Sequence, residues 1–243
     1  MPNRSNASLL VQSANHSYLI DCSGNVWANL MKNGVDPHSL DGLIITHGHI
    51  DHIYGLPSLV EGMRLCQRKR SFELYGEKET FPKIEKVLDA FGFTVEELPY
   101  SIHLTPLDQM ERVFFRGKGL SIASFPLRHV IPNLGIKMSD GTHSVCYVTD
   151  TEPFAQLGHF IGTTQVLIHE CISCYALRNA TPGHSLARDA GMLAEAVGAD
   201  RLALIHILPE LDQHQDLGIE EARSFFSGIV EIPKDGDQIN LMV

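Results

Sequence analysis

The chain has 243 residues, 44% of them hydrophobic, and a formal net charge of −10. That is enough apolar material for a sizeable core, which excludes a disordered chain, and the acidic balance argues against a broad phosphate-binding surface. No apolar run approaches the ~18–20 residues that span a bilayer. The opening MPNRSNASLLVQSANHS lacks the apolar stretch of a signal peptide. Five cysteines, an odd number, fit a reducing compartment better than a disulfide framework. We expect a cytoplasmic protein with no membrane association.

Strand and helix signals alternate along the chain. Residues 8–12 and 17–21 read as a hairpin, and 25–33 as a short helix closed by Gly34. GLIIT at 42–46 is a continuous apolar run, the pattern of a strand buried on both faces. A helix is expected over 57–68, with Leu59, Val60, Met63 and Cys66 at helical spacing, then a strand at 72–75 and a helix at 78–91. Arg64, Arg68, Lys69 and Arg70 form the one basic cluster, read as a solvated helix end or a local basic patch. From 110 to 150 the pattern is strand-rich (MERVFF, LSIASFPL, LGIKM, SVCYVT). A buried strand follows at 165–169, a helix at 184–197, a strand at 202–206, a helix near 219–226 and one or two closing strands. No repeat or long linker marks a boundary, so 1–243 reads as one α/β domain of two packed sheets with helices outside.

Thirteen histidines carry most of the chemical information. In Thr46-His47-Gly48-His49-Ile50-Asp51-His52, the motif follows a buried strand and precedes a helix. Residues two apart in extended backbone share a face, so His47 and His49 can grip one ion, while Asp51 and His52 turn away to serve a second. Imidazole nitrogen and carboxylate oxygen are ligands zinc accepts. Core filling is a poor alternative, because each buried polar group would need its own partner.

THGHIDH resembles the H-x-H-x-D-H signature of the metallo-β-lactamase superfamily, whose fold is a four-layered αββα sandwich, and the resemblance runs over nearly the whole chain. Asp21 in LIDCSG matches the aspartate that supports the metal loop, and His129 in FPLRH the third histidine of the first ion. Asp150 in YVTDT matches the carboxylate shared by both ions, and His206 in LALIH the last histidine. The resemblance therefore implies a first ion on His47, His49 and His129, and a second on Asp51, His52 and His206. Asp150 bridges the two ions, and Asp51 is also counted with the catalytic groups. Two Zn2+ ions are the expected cofactors, and the oxygen-rich donors also suit Mn2+ or Fe2+. A hydroxide held between the ions would be the nucleophile of a hydrolase.

Within the superfamily, Leu167-Ile168-His169-Glu170 and Gly183-His184-Ser185 resemble motifs of the ribonuclease Z group. Carried over, His184 is a general acid to the leaving oxygen and Glu170 orients it; the bland alternative makes His184 a helix cap and Glu170 a strand-end charge. The chain also departs from that group. His129 and Asp150 are too close in sequence for the inserted tRNA-gripping arm, no arginine follows His206, and the family's first strand with its L-G-T-G turn is not matched. The expected substrate is thus a small or flexible phosphodiester, with RNA disfavoured. A lactonase or other carboxylic ester hydrolase and a non-catalytic binding member are the alternatives. The resemblance implies a homodimer, for which the apolar face of the helix around 59–66 offers a contact surface. Tyr54 is read as lining the pocket mouth or as packing, and Cys171 and Cys174 as ordinary partly buried thiols.

Overall fold

The structure, a computed structural model, describes residues 4–95, 98–177 and 181–241. The chain divides into two compact units, Arg4–Asp108 and a C-terminal unit running from Gln109 to Val243.

The N-terminal unit is a five-stranded sheet in the order β1-β2-β3-β4-β5. The expected hairpin is β1 (Leu9–Gln12) and β2 (Ser17–Ile20), paired antiparallel. β3 (Gly42–Ile45), β4 (Phe72–Glu77) and β5 (Ile102–Leu107) continue it in parallel. All four residues of β3 are buried, as its unbroken apolar run requires of a central parallel strand. β5 has no counterpart in the sequence reading; it contains Pro106, whose missing donor an edge position tolerates. Helices α1 (Val26–Lys32), α3 (Leu56–Leu65) and α4 (Phe81–Ala90) share one core with Leu19, Leu43, Ile45, Leu74 and Ile102. α2 is the single turn Ile50–Ile53.

Three expectations are corrected in this unit. Leu59, Val60 and Met63 are buried in the unit's own core, so this face of α3 is not available as a dimer surface. α3 ends at Leu65, leaving Cys66 exposed rather than on the apolar stripe. One member of the basic cluster is not solvated. Arg68 is buried, and its guanidinium donates to the carbonyls of His38, Leu40, Arg70 and Ser71 at 2.8–3.0 Å. Arg64, Lys69 and Arg70 are exposed as expected, Arg64 pairing with Glu61 and Arg70 with Asp41.

The C-terminal unit is a seven-stranded sheet in the order β12-β11-β10-β9-β8-β7-β6. β6 (Arg112–Gly117), β7 (Leu120–Leu127), β8 (Asn133–Ser139) and β9 (Ser144–Val148) form an antiparallel meander. β10 (Val166–Glu170), β11 (Arg201–Ile205) and β12 (Ile229–Glu231) extend it in parallel from β9. β8 and β9 thus occupy the interval between His129 and Asp150. Helices α5 (Leu157–Ile161), α6 (Ala187–Ala196), α7 (Pro209–Gln213) and α8 (Gln215–Arg223) pack on this sheet through Leu157, Ala190, Ala194, Leu211 and Ala222. α6 begins later than the expected 184, so His184 stands in the loop before it and caps no helix. Among the described residues, no helix is long and apolar enough to cross a membrane.

Candidate metal centre

Each unit delivers donors at one sheet edge, where the parallel strands end. In the N-terminal unit Asp21 follows β2 and Thr46-His47 follows β3. The two loops are stitched together by Asp21 N–H to the Ile44 carbonyl at 2.8 Å and Thr46 N–H to Asp21 Oδ1 at 2.8 Å. Asp21 is fully buried and holds φ +57°, a left-handed conformation that a non-glycine residue adopts at some cost. That geometry turns its carboxylate onto the motif. The Thr46 hydroxyl donates to Asp21, so its oxygen accepts from His47 Nδ1 at 3.1 Å. His52 Nδ1 donates directly to Asp21 Oδ2 at 2.8 Å. One carboxylate therefore sets the tautomer of both histidines and directs each Nε2 outward, the arrangement that orients metal-binding imidazoles. His47 Nε2 and His49 Nδ1 lie 3.0 Å apart. Two nitrogens each ~2.0–2.1 Å from one tetrahedral ion would be separated by roughly 3.3 Å. Asp51 Oδ2 is 3.7 Å from His52 Nε2, giving a second donor pair.

In the C-terminal unit His129 follows β7, Asp150 follows β9, Glu170 ends β10 and His206 follows β11. β7 and β9 run the same way, each being antiparallel to β8, so all four reach one edge. Asp150 turns its two carboxylate oxygens toward two histidines, and Oδ1 also accepts from the Thr149 hydroxyl at 2.9 Å. Oδ2 is 3.7 Å from His129 Nε2, and Oδ1 is 3.5 Å from His206 Nε2. His206 holds φ +56°, a conformation that persists only where its surroundings impose it. Asp150, His184 and His206 each offer one ligand atom, all within 4.8 Å of one another.

Glu170 is fully buried and gathers three donors on one oxygen. Its Oε1 accepts from Thr151 N–H at 3.0 Å, Ser185 N–H at 2.9 Å and His184 Nδ1 at 3.2 Å. The loops after β9 and before α6 are thereby tied to β10. Burial pulls the His184 imidazole pKa down, but the hydrogen bond and charge of Glu170, with Asp150, outweigh it and raise the pKa above the ordinary histidine value. The His184 ring stacks on His206 at 5.5 Å and meets His129 edge-on at 5.0 Å. His169, the other histidine of the first ribonuclease Z-like motif, is buried, donates to the Glu170 carbonyl at 2.6 Å and is driven toward its neutral form by burial.

Two further supports carry no recognisable signal in the sequence. His129 Nδ1 donates to the Gly183 carbonyl at 2.8 Å, while Gly183 N–H donates to Glu152 Oε1 at 2.8 Å. Gly183 has φ +85°, and a Cβ there would lie 2.8 Å from His129 Nδ1. We expect Gly183→Ala to cost about 1–2 kcal/mol from the left-handed backbone alone and to displace the His129 ring. Thermal denaturation should show a lowered Tm, and metal titration a weakened site; an unchanged Tm with unchanged metal binding would contradict the close approach.

Cys171 and Cys174 are fully buried rather than partly so, and burial raises both thiols. Tyr54 is half-exposed beside Gly24, consistent with a surface rather than a core aromatic.

The donor set suits a transition metal, since it joins imidazole nitrogens of fixed tautomer to carboxylate oxygens. Residues 16–207 match the family described as "Beta-lactamase superfamily domain". The chain belongs to that superfamily. Among curated relatives, the "Probable metallo-hydrolase YhfI" of Bacillus subtilis is 29% identical over 235 residues, covering 96% of this chain and 92% of that protein. A "Ribonuclease Z" of Methanococcus maripaludis is 24% identical over 292 residues, covering 99% and 92%. Among solved structures, human tRNase Z, short form, superposes with a TM-score of 0.83 at 21% identity, covering 100% of this chain and 95% of that one. These likenesses bear out the metallo-β-lactamase fold and the ribonuclease Z-like resemblance, and the superfamily member described here is a metal-dependent hydrolase.

Proposed function

We propose that this superfamily member is a dinuclear phosphodiesterase, the whole chain acting as a single domain. His47, His49 and His129 would hold the first ion, Asp51, His52 and His206 the second, with Asp150 shared and zinc the preferred metal. The observation that carries this reading is the Asp150 carboxylate, which turns one oxygen toward His129 and the other toward His206, as a bridging ligand must. When bound, such a pair supplies Lewis acidity: it lowers the pKa of water and offsets charge building on phosphoryl oxygens.

The chain's own residues supply the rest. Asp21 locks His47 and His52 in orientation, and Glu170 does the same for His184 through Nδ1. That leaves His184 Nε2 to hold a proton and deliver it to a departing alkoxide, the demand a phosphodiester makes and an activated ester does not. The Glu170 carboxylate on Nδ1 favours the protonated form that a general acid needs. The relatives named ribonuclease Z support a phosphodiester as the bond cleaved. The acidic chain, with β8 and β9 where the family's arm is inserted, favours a small or flexible substrate over tRNA.

Metal-reconstituted protein assayed on bis-p-nitrophenyl phosphate, cyclic nucleotides, lactones and a tRNA precursor tests the proposal. Turnover of a phosphodiester with two bound ions per chain is the expected result. Lactone hydrolysis without phosphodiester turnover, or no more than one ion under metal-replete conditions, would overturn it.

A further inference from the structure

We infer that Lys83 is a positioning residue for the His47–His49 pair, an inference that rests on those histidines holding an ion. Lys83 lies in the first turn of α4, and its ammonium donates to the carbonyl of Gly48, the residue between the two histidines. The approach is close on this side of the loop. A Cβ on Gly48 would lie 3.4 Å from both Lys83 Nζ and Thr80 Oγ1, and Thr80 is itself buried. Among the described residues Lys83 pairs with no carboxylate, although the chain carries 29 acidic residues. Its charge is given to a backbone acceptor in the motif, where an ionised donor makes the stronger type of hydrogen bond.

Glycine is the most permissive residue in φ and ψ, so Gly48 by itself leaves the relative aim of its two neighbours unset. His47 is tied from one side by Asp21 through Thr46. Lys83 ties the following peptide from the α4 side. With both ties in place, His47 Nε2 and His49 Nδ1 converge to 3.0 Å. Without Lys83, His49 can swing about Gly48, and the ion must order the loop as it binds. Lys83 thus acts on the ion only through His49, and its loss should appear as metal affinity before it appears as chemistry.

The test compares Lys83→Met, Lys83→Arg and Lys86→Met, the last removing an exposed charge further along the same helix. Metal-free proteins are titrated with Co2+ against a competing chelator, and the visible d–d bands are recorded. Lys83→Met should weaken one of the two ions about 10–100-fold, the range that partners of metal ligands are worth, and should alter the bands. Lys83→Arg should restore most of the affinity, Lys86→Met should match the wild type, and the Tm of the metal-free proteins should be alike. Wild-type affinity and bands in Lys83→Met, or an equal loss in Lys86→Met, would overturn the inference while leaving the proposed function standing. A wild type that takes up no pair of ions would overturn both.

Discussion

Asp150→Ala should leave the protein folded and unable to retain either ion. The carboxylate faces both His129 and His206, so in the proposed ligand set its removal takes a donor from each site. The backbone carbonyl of Asp150 still accepts from Asn133 Nδ2 at 2.7 Å, so the loop keeps its anchor. Elemental analysis after metal-replete purification should fall from two ions per chain to well below one. Phosphodiester turnover should drop by more than the about 10²–10³-fold attributed to a single transition-state donor, because both ions are lost. Asp51→Ala, by contrast, should lose only the second ion. Two ions retained in Asp150→Ala would rule out the bridging role.

His184→Ala should harm substrates in proportion to their need for a proton. Positioned general acids are worth ~10²–10⁴-fold, and that loss is expected for an alkyl phosphodiester whose leaving alkoxide is strongly basic. A p-nitrophenyl ester, whose leaving group departs unaided, should lose far less. Metal content should stay at two, because the proposed ligand set does not include His184. Glu170→Gln should follow the same pattern more weakly. Its amide oxygen can still accept from Thr151, Ser185 and His184, but the charge that raises the imidazole is gone. Equal losses on both substrates, or loss of an ion in His184→Ala, would make His184 a structural or ligating residue and return a lactonase to the front.

Local pattern was sufficient wherever the physics is local. The unbroken apolar run of β3 announced a strand buried on both faces, and HGHIDH placed four candidate donors in six residues, a density that core filling does not explain. The other proposed donors, His129, Asp150 and His206, came from the family resemblance, and each stands after a strand. Asp21 belongs to the same class.

What tertiary structure decided are the contacts between residues far apart in sequence. Arg68 reads as one more charge at a helix end, yet its four carbonyl partners come from two separate loops, and only folding brings these around one guanidinium. The stripe on α3 has the same hydrophobic pattern whether it meets its own sheet or a second copy, since periodicity reports an apolar face and not its partner. The Gly183 carbonyl on His129 and the Lys83 ammonium on Gly48 link positions 54 and 35 apart. The sequence by itself determined which side chains could hold metal, because ligand chemistry resides in the residue. The tertiary structure decided how those side chains are aimed, because a tautomer or a ring orientation is set by whichever distant group accepts the other hydrogen bond.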